Sequence, residues 1–279
     1  MSVISTRKAL SAALLATALL IASDADAREL KVCADPNNLP FSNDRGEGFE
    51  NKIADLIAKE LNAELSYTWW AQRRGFIRNT LNAGLCDLVT GTLYGVEALR
   101  TTRPYYRSGY VFVTRDNGAL KIDSLDDPKL RDVQIGVQLV GDDGTNPPPA
   151  HALARRGIID NVRGYLVYGD YREPDPSSSI MTGVAKGDID VAIVWGPVAG
   201  YFARRESVPL HLQLVTPETD GPRLPMVFDI TMGVRKNDRE LRDEVNAVLI
   251  RLRPQIDAIL SEFGVPRLDQ GSAVAKSSK

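Results

Sequence analysis

The feature that most constrains the fold is a regular alternation of strand and helix patterns near the start of the chain. Three apolar or alternating segments predict strands: residues 30–34, 64–69 and 86–90. Two segments between them show helical spacing of apolar residues: 49–61 and 76–81. Strand, helix, strand, helix, strand is typical of a parallel sheet covered by helices, so the predicted fold class is α/β.

The two cysteines support one order for these strands. Cys33 lies in the first predicted strand and Cys86 in the third. When the two crossovers run in opposite directions the strand order is 2-1-3, which places the first strand beside the third and the cysteines within bridging reach. We expect a disulfide that constrains the unfolded chain by about 3 to 4 kcal/mol. The alternative is two free, buried thiols.

The N-terminus has the order of a secretory signal peptide. Arg7 and Lys8 precede an apolar run at residues 9–22, which is followed by Ala25-Asp26-Ala27. The run is shorter than the roughly 20 residues that span a bilayer, and no second run of that length follows. We expect cleavage near Ala27 and a periplasmic protein without a membrane span, in a compartment that favours disulfides. The alternative is a buried N-terminal helix.

Charge and length limit the classes of protein. A net charge of −2 gives no electrostatic footprint for nucleic acid, so we expect no such partner, and we expect a monomer. A hydrophobic content of 43% excludes a disordered chain. The 279 residues, less the signal peptide, exceed what one core usually organises and favour two lobes.

A second α/β unit follows the first. It begins after residues 110–113. Its predicted strands are residues 133–137, 164–168 and 191–195, and its helix covers 180–186. A further strand at 227–234 precedes two helices, the second of which restarts at Pro254 and is capped at Gly264. Residues 91–95 and 142–149 are predicted as loops, and the tail from Gly271 as disordered.

Several segments resemble the family 3 extracellular solute-binding proteins. They are residues 33–41 (CADPNNLPF), 48–51 (GFEN), 103–106 (RPYY), 187–198 (GDIDVAIVWGPV) and 263–266 (FGVP). Residues 69–81 (WWAQRRGFIRNTL) and 192–202 (AIVWGPVAGYF) are similar to one branch, the MoxJ/XoxJ-type proteins encoded beside quinoprotein methanol dehydrogenases.

The resemblance implies a type II periplasmic-binding-protein-like fold, with two α/β lobes joined by hinge segments near 109–115 and 227–235. Lobe one would hold residues 28–112 and 230–279, and lobe two residues 113–229. Ligands in such folds bind between the lobes at the carboxyl ends of strands, and the lobes close by a hinge motion.

The charged anchors of the amino-acid-binding relatives are missing at the matching positions. Gly95 stands where those relatives have a carboxylate-binding Arg, and Arg100 is five residues out of register. Trp195 stands in the stretch where they have an Asp for the ammonium group. A buried ligand charge without a partner costs a few kcal/mol, so a free amino acid is not the expected ligand.

The strand ends offer other side chains to the cleft. They are Asp35, Asn37, Asn38, Phe41, Trp70, Arg73, Arg74, Thr92, Tyr94 and Trp195. Aromatic and Arg groups among short polar ones suit a flat conjugated acid or a protein loop. The alternatives are ordinary packing for the two tryptophans, a solvated helix start for the arginines and a plain turn for the asparagines.

Catalytic and metal-binding residues are scarce. His151 and His211 are the only histidines, and we interpret both as surface or packing residues in loop-like contexts. Residues 142–146 (DDGTN) lack the spacing of a calcium loop, which favours a solvated turn. We therefore expect no metal, no cofactor and no catalytic residue.

Three functions remain as hypotheses. The first is an accessory protein that binds and assists maturation or activation of a PQQ-dependent (pyrroloquinoline quinone) methanol or alcohol dehydrogenase. The second is a transport receptor that delivers a small acid or a quinone-like ligand to a permease. The third is a dehydratase with Asp35 as its general acid.

Overall fold

The computed structural model describes residues 28–118, 120–140, 145–168 and 170–269. The predicted signal peptide, the tail from Gly271 and residues 142–144 of the predicted loop lie outside these described residues.

The order of elements alternates strands and helices, as the sequence predicts. The strands are β1 (Arg28–Ala34), β2 (Asn37–Asn38), β3 (Ser42–Asn43), β4 (Ala63–Trp69), β5 (Leu88–Leu93), β6 (Arg100–Thr101), β7 (Tyr106–Arg115), β8 (Ile135–Leu139), β9 (Val162–Leu166), β10 (Val191–Trp195), β11 (Leu210–Leu214), β12 (Thr219–Asp220), β13 (Leu224–Pro225) and β14 (Val227–Val234). The helices are α1 (Phe49–Glu60), α2 (Phe76–Asn79), α3 (Pro148–Arg155), α4 (Ser179–Lys186), α5 (Gly196–Ala203), α6 (Arg239–Arg251) and α7 (Arg253–Glu262).

The first sheet has the predicted 2-1-3 order. Strand β1 pairs in parallel with β4 on one side and with β5 on the other. This order brings Cys33 and Cys86 together in a disulfide with a Cα–Cα distance of 5.6 Å. Both cysteines are buried in a small apolar cluster with Phe76, Leu81 and Val89. The strand order and the disulfide are therefore confirmed.

The second sheet contains the parallel strands β9, β8 and β10, in that order. Strand β7 runs antiparallel beside β10, and β11 runs antiparallel on the other side of β7. Helix α4 covers this sheet and buries Ile180, Met181 and Val184. The second α/β unit predicted from the sequence is thus present.

Two long strands join the sheets. The first half of β7 pairs with β14 through residues 106–109 and 227–230, and its second half pairs with β10 and β11. Strand β14 continues past this crossing and pairs with β5. These strands contain the two hinge segments that the resemblance implies. The lobe limits near residues 112–113 and 229–230 fall inside the two strands and stay a prediction.

Several elements differ from the sequence prediction. Strand β5 extends to Leu93, where a loop was expected from Gly91, because Thr92 and Leu93 pair with Thr231 and Ile230 of β14. Helix α3 begins at Pro148, inside the predicted loop. Proline is well suited to the first turn of a helix, where its missing N–H has no partner to lose.

Two further elements were not predicted. Helix α5 follows β10 directly and carries Gly and Pro in its first turn, and β11 pairs with the edge of β7. His151 and His211, expected in loops, lie in α3 and β11, and both are exposed. Among the described residues, no helix combines the length and the apolar character that a membrane crossing requires.

Helix α5 packs very closely against the segment that follows α7. A Cβ atom at Gly200 would lie 1.9 Å from the backbone oxygen of Gly264, which itself has a φ of +69°. The rings of Tyr201 and Phe263 stack with centroids 5.5 Å apart. This contact joins α5, which follows β10 of the second sheet, to the segment at the end of α7.

We expect Gly200→Ala to destabilise the protein. Helix propensity alone would make this change stabilising by about 1 kcal/mol. The added methyl group would instead collide with the backbone of Gly264, and overpacking of this kind costs about 1 to 3 kcal/mol. Urea unfolding of the wild type and the variant measures the sign, and a gain in stability would contradict the close contact.

Candidate functional site: the cleft between the lobes

A cavity of about 380 Å³ lies between the two sheets. Its lining comes from both sheets and from the two crossing strands: Asn38, Phe41, Glu50, Gln72, Gly91, Leu93, Tyr106, Tyr110, Gln138, Pro147, Pro148, Val167, Tyr168, Ser177, Trp195, Val198, Phe228 and Ile230. This volume is at the lower end of the range for small-molecule sites.

One wall of the cavity is an aromatic cluster at the strand crossing. Trp195, at the end of β10, makes edge contacts with Tyr110 of β7 and Phe228 of β14, with ring centroids 5.4 and 5.9 Å away. Tyr110 and Phe228 also meet edge to face, at 6.5 Å. Burial raises the pKa of Tyr110, which keeps its hydroxyl neutral. The wall is therefore apolar and uncharged.

A buried carboxyl group also borders the cavity. Glu50, in the first turn of α1, is only 4% exposed. The Thr90 hydroxyl donates a hydrogen bond to its Oε2 at 2.7 Å, and the Tyr105 hydroxyl donates to its Oε1 at 3.2 Å. Gly91 leaves the space that this carboxyl occupies, since a Cβ there would lie 2.3 Å from Oε1.

Burial dominates the protonation of this group. Desolvation raises the pKa of Glu50 from 4.5 to about 7, and the hydrogen bonds from Thr90 and Tyr105 offset only part of that effect. No basic side chain contributes to the shift. The cavity thus contains a carboxyl that titrates near neutral pH.

Asp35 connects the two lobes at the edge of the cleft. It is 1% exposed and follows β1. Its Oδ1 accepts from the backbone N–H of Asn37 at 2.9 Å, and its Oδ2 accepts from that of Gln72 at 2.6 Å. The hydroxyl of Tyr171, which follows β9 in the second sheet, also donates to Oδ2. The carboxylate is therefore engaged by the chain's own donors.

Asn37 and Arg73 extend this connection. The Asn37 side-chain amide donates to the backbone oxygens of Tyr171 and Glu173, at 3.3 and 3.0 Å. The guanidinium of Arg73 lies over the rings of Tyr171 and Tyr168, 4.7 and 5.4 Å from their centroids. We call these contacts of Asp35, Asn37 and Arg73 with Tyr168, Tyr171 and Glu173 the interlobe clasp.

The ten residues predicted for the site fall into three places. Asn38, Phe41 and Trp195 line the cavity, while Asp35, Asn37 and Arg73 form the clasp. The other four do not line the cavity.

These four residues lie at the surface or in the sheet. Trp70 and Tyr94 are 44% and 65% exposed, and Arg74 is also exposed. Arg74 precedes α2 and does not start it, because that helix begins at Phe76. Thr92 faces β14, where its hydroxyl lies 3.0 Å from that of Thr231.

Of the residues near the lost amino-acid anchors, Trp195 lines the cavity, while Arg100 and Gly95 do not. Arg100 donates from Nε to the backbone oxygen of Lys236 at 2.7 Å, away from the cleft, and Gly95 is exposed. Among the described residues there is no cluster of three or more His, Cys, Asp or Glu placed to hold a metal ion.

Sequence reasoning missed much of the cavity. Tyr110 and Phe228 were assigned to hinge strands, with no role in the site. Glu50 had a detectable signal, because Glu50, Ala54 and Ile57 are spaced as one helix face and the other two positions are apolar. The clasp residue Tyr171 follows β9 in a polar loop, and its contact with Asp35 joins residues 136 positions apart.

Two α/β lobes joined by two paired strands around a cleft define the type II periplasmic-binding-protein-like fold. A family model for the bacterial extracellular solute-binding proteins, family 3, matches residues 30–264. The chain belongs to this family.

The similarity extends to named relatives. Protein MoxJ of Paracoccus denitrificans is 36% identical over 267 residues, covering 91% of this chain and 95% of that protein. Protein MoxJ of Methylorubrum extorquens is 34% identical over 259 residues, covering 88% and 84%. The crystal structure of the periplasmic binding protein XoxJ from Methylobacterium extorquens AM1 matches with a TM-score of 0.70 and 36% identity, covering 86% of this chain and 99% of that one. The predicted resemblance to the MoxJ/XoxJ-type proteins is confirmed.

We expect Tyr171→Phe to shift the two lobes toward an open arrangement. The variant loses a hydrogen bond to a buried carboxylate, and bonds to charged groups contribute about 1.5 to 3 kcal/mol. The closed population should fall about tenfold or more relative to the open one, which small-angle X-ray scattering detects as a larger radius of gyration.

Tyr165→Phe is the matched control for this experiment. The Tyr165 hydroxyl is buried without a hydrogen-bond partner, so its removal should leave the scattering curve unchanged. Equal curves for the wild type and Tyr171→Phe would contradict the clasp.

We expect the stability of the protein to fall as pH rises through the titration of Glu50. Between its ordinary value and the raised pKa of about 7, the folded protein holds a proton that the unfolded chain releases. Unfolding is therefore favoured by about 3 kcal/mol more above this window than below it.

The variant Glu50→Gln isolates this effect, because the difference from the wild type cancels the other titrating groups. In denaturant unfolding, the free energy of unfolding of the variant minus that of the wild type should increase by about 3 kcal/mol between roughly pH 4 and pH 8. A difference that does not change with pH would show that Glu50 keeps an ordinary pKa.

Proposed function

We propose that the protein is a periplasmic accessory protein that binds a PQQ-dependent methanol or alcohol dehydrogenase and assists its maturation or activation. It would act by binding and not by catalysis. The MoxJ/XoxJ-type relatives support this proposal, together with a cleft that has lost the anchors for an amino acid.

The observation that carries the proposal is the state of Asp35. A buried carboxylate can pair with a ligand only where its oxygens are free of other donors. Here its oxygens already accept bonds from Asn37, Gln72 and Tyr171. The lobes are held together by the chain's own groups, which suits a protein that presents a surface to a partner.

An exposed apolar rim offers such a surface. Leu93 lines the cavity and is 44% exposed, and Tyr94 next to it is 65% exposed. Trp70 is 44% exposed and lies two residues before Gln72, which also lines the cavity. Exposed aromatic side chains at the edge of a pocket are typical of protein-binding hot spots.

The other hypotheses find less support. A receptor for a small acid needs a cation in the cleft, and among the described lining residues there is no Lys, Arg or His. A dehydratase needs an available general acid, but the carboxyl oxygens of Asp35 are already engaged in three hydrogen bonds.

Binding to the purified methanol dehydrogenase of the same organism tests the proposal. We expect a complex at micromolar concentration or below in isothermal titration calorimetry. Tyr94→Asp should raise the Kd at least about tenfold, because a charge would replace an apolar contact at the rim.

Ile250→Asp provides the control. Ile250 is 56% exposed on α6, a helix that contributes no residue to the described cavity lining. This variant should bind like the wild type. If no complex forms at micromolar concentration, the proposed function is wrong. If both variants lose affinity equally, the exposed apolar rim is not the binding surface.

A further inference from the structure

The charge of the cavity lining is one-sided. Among the described lining residues Glu50 is the sole carboxylic acid, and there is no basic side chain. The remaining polar groups are neutral amides and hydroxyls, from Asn38, Gln72, Gln138 and Ser177 besides the tyrosines. A ligand that enters the cavity therefore meets one carboxyl, which is negative when ionised, and no positive side chain among the described lining residues.

In the part of the chain that the structure describes, no basic side chain lowers the pKa of the Glu50 carboxyl. The side chains that donate to it, Thr90 and Tyr105, are neutral. The titratable groups that interact with it from the neighbouring strands are Tyr67, Tyr105 and Tyr106, and burial raises the pKa of each of them. The carboxyl is thus a buried acid whose ionised form lacks a cationic partner.

The walls of the cavity favour positive charge as well. Six aromatic side chains contribute to the described lining: Phe41, Tyr106, Tyr110, Tyr168, Trp195 and Phe228. The face of an aromatic ring attracts a cation, and this attraction strengthens to about 2 kcal/mol or more when the cation is desolvated. The same faces repel an anion.

We propose that the cavity is a binding site for a small hydrophobic organic cation, an ammonium compound whose charge pairs with the Glu50 carboxylate and whose apolar body packs between the aromatic rings. This proposal goes beyond the accessory function and does not rest on it, since the site can be tested on the isolated protein.

A carboxylate ligand does not fit the same lining. The cation of the interlobe clasp, Arg73, lies over the rings of Tyr168 and Tyr171 and is not among the lining residues. An acid in the cavity would face Glu50 without a positive partner. The cavity therefore suits a cationic ligand and not the small acid of the transport-receptor hypothesis.

Cation binding is coupled to the ionisation of Glu50. Because its pKa is raised to about 7, a fraction of the protein carries a protonated Glu50 at neutral pH, and a cation binds the ionised form better. Binding should therefore release protons, and the affinity should rise as the pH increases through neutrality.

Three probes of similar shape separate charge from shape: phenethylammonium, phenethyl alcohol and hydrocinnamate. Isothermal titration calorimetry of the full mature protein, in two buffers of different ionisation enthalpy, gives both the affinity and the proton release. We expect phenethylammonium to bind at least about tenfold more tightly than the alcohol, and hydrocinnamate not to bind at millimolar concentration.

Two variants test which side chains cause the preference for a cation, and a third is the control. Glu50→Gln keeps groups that can bond to Thr90 and Tyr105, and it should bind the ammonium and the alcohol with similar affinity and without proton release. Trp195→Leu should weaken the ammonium more than the alcohol. Glu64→Gln, a change at an exposed position of β4, is the control for the loss of one negative charge and should bind like the wild type.

The proposal would be overturned by hydrocinnamate or the alcohol binding as tightly as the ammonium, or by no ammonium binding at millimolar concentration. Unchanged ammonium affinity in Glu50→Gln would overturn it too. If Glu50→Gln fails to fold, two other results would overturn the proposal. One is that Trp195→Leu weakens the binding of phenethylammonium and phenethyl alcohol equally, and the other is that the wild type releases no protons on binding the ammonium. None of these results depends on whether the dehydrogenase binds.

Discussion

The pairing of β7 with β14 is the constraint on which the rest of the structure depends. These strands run antiparallel over residues 106–109 and 227–230, and each continues into a different sheet. The lobes are therefore joined by backbone hydrogen bonds as well as by the covalent chain. Tyr110 and Phe228 stand at this crossing, and with Trp195 they form the apolar wall of the cleft.

Contacts on both sides of the crossing set how the lobes meet. On the hinge side, α5 packs against the segment after α7, where Gly200 lies directly against the backbone of Gly264. On the other side, the clasp joins Asp35 to Tyr171. The cleft is thus closed by the protein's own groups. The carboxyl that borders the cavity is then Glu50, a buried side chain in the first turn of α1.

Much of the fold could be predicted from the sequence, because local patterns carry it. The alternating and helical spacings of residues 30–90 predicted the strands and helices of a parallel sheet. The cysteine pair supported the strand order, which the structure confirms together with the disulfide. Helix α3 and the end of β5 were misjudged, since prolines can begin a helix and a strand can extend wherever a neighbour offers hydrogen bonds.

The site could be predicted only in part. Residues at or shortly after the ends of predicted strands, such as Asp35, Asn37 and Trp195, were accessible to reasoning from strand ends. Tyr171 was not, because its position depends on how one lobe rests on the other. Tyr110 and Phe228 were hidden for a related reason: residues of a hinge strand face the cleft or the core according to the twist at the crossing, which the sequence pattern does not show.

The most direct test of this account is a crystal structure of the protein purified without refolding from the organism that produces it. The account predicts Asp35 bonded to Tyr171, Trp195 packed against Tyr110 and Phe228, and no carboxylate ligand in the cavity. An amino acid or another small acid enclosed between the lobes, with its carboxylate held by the protein, would contradict it.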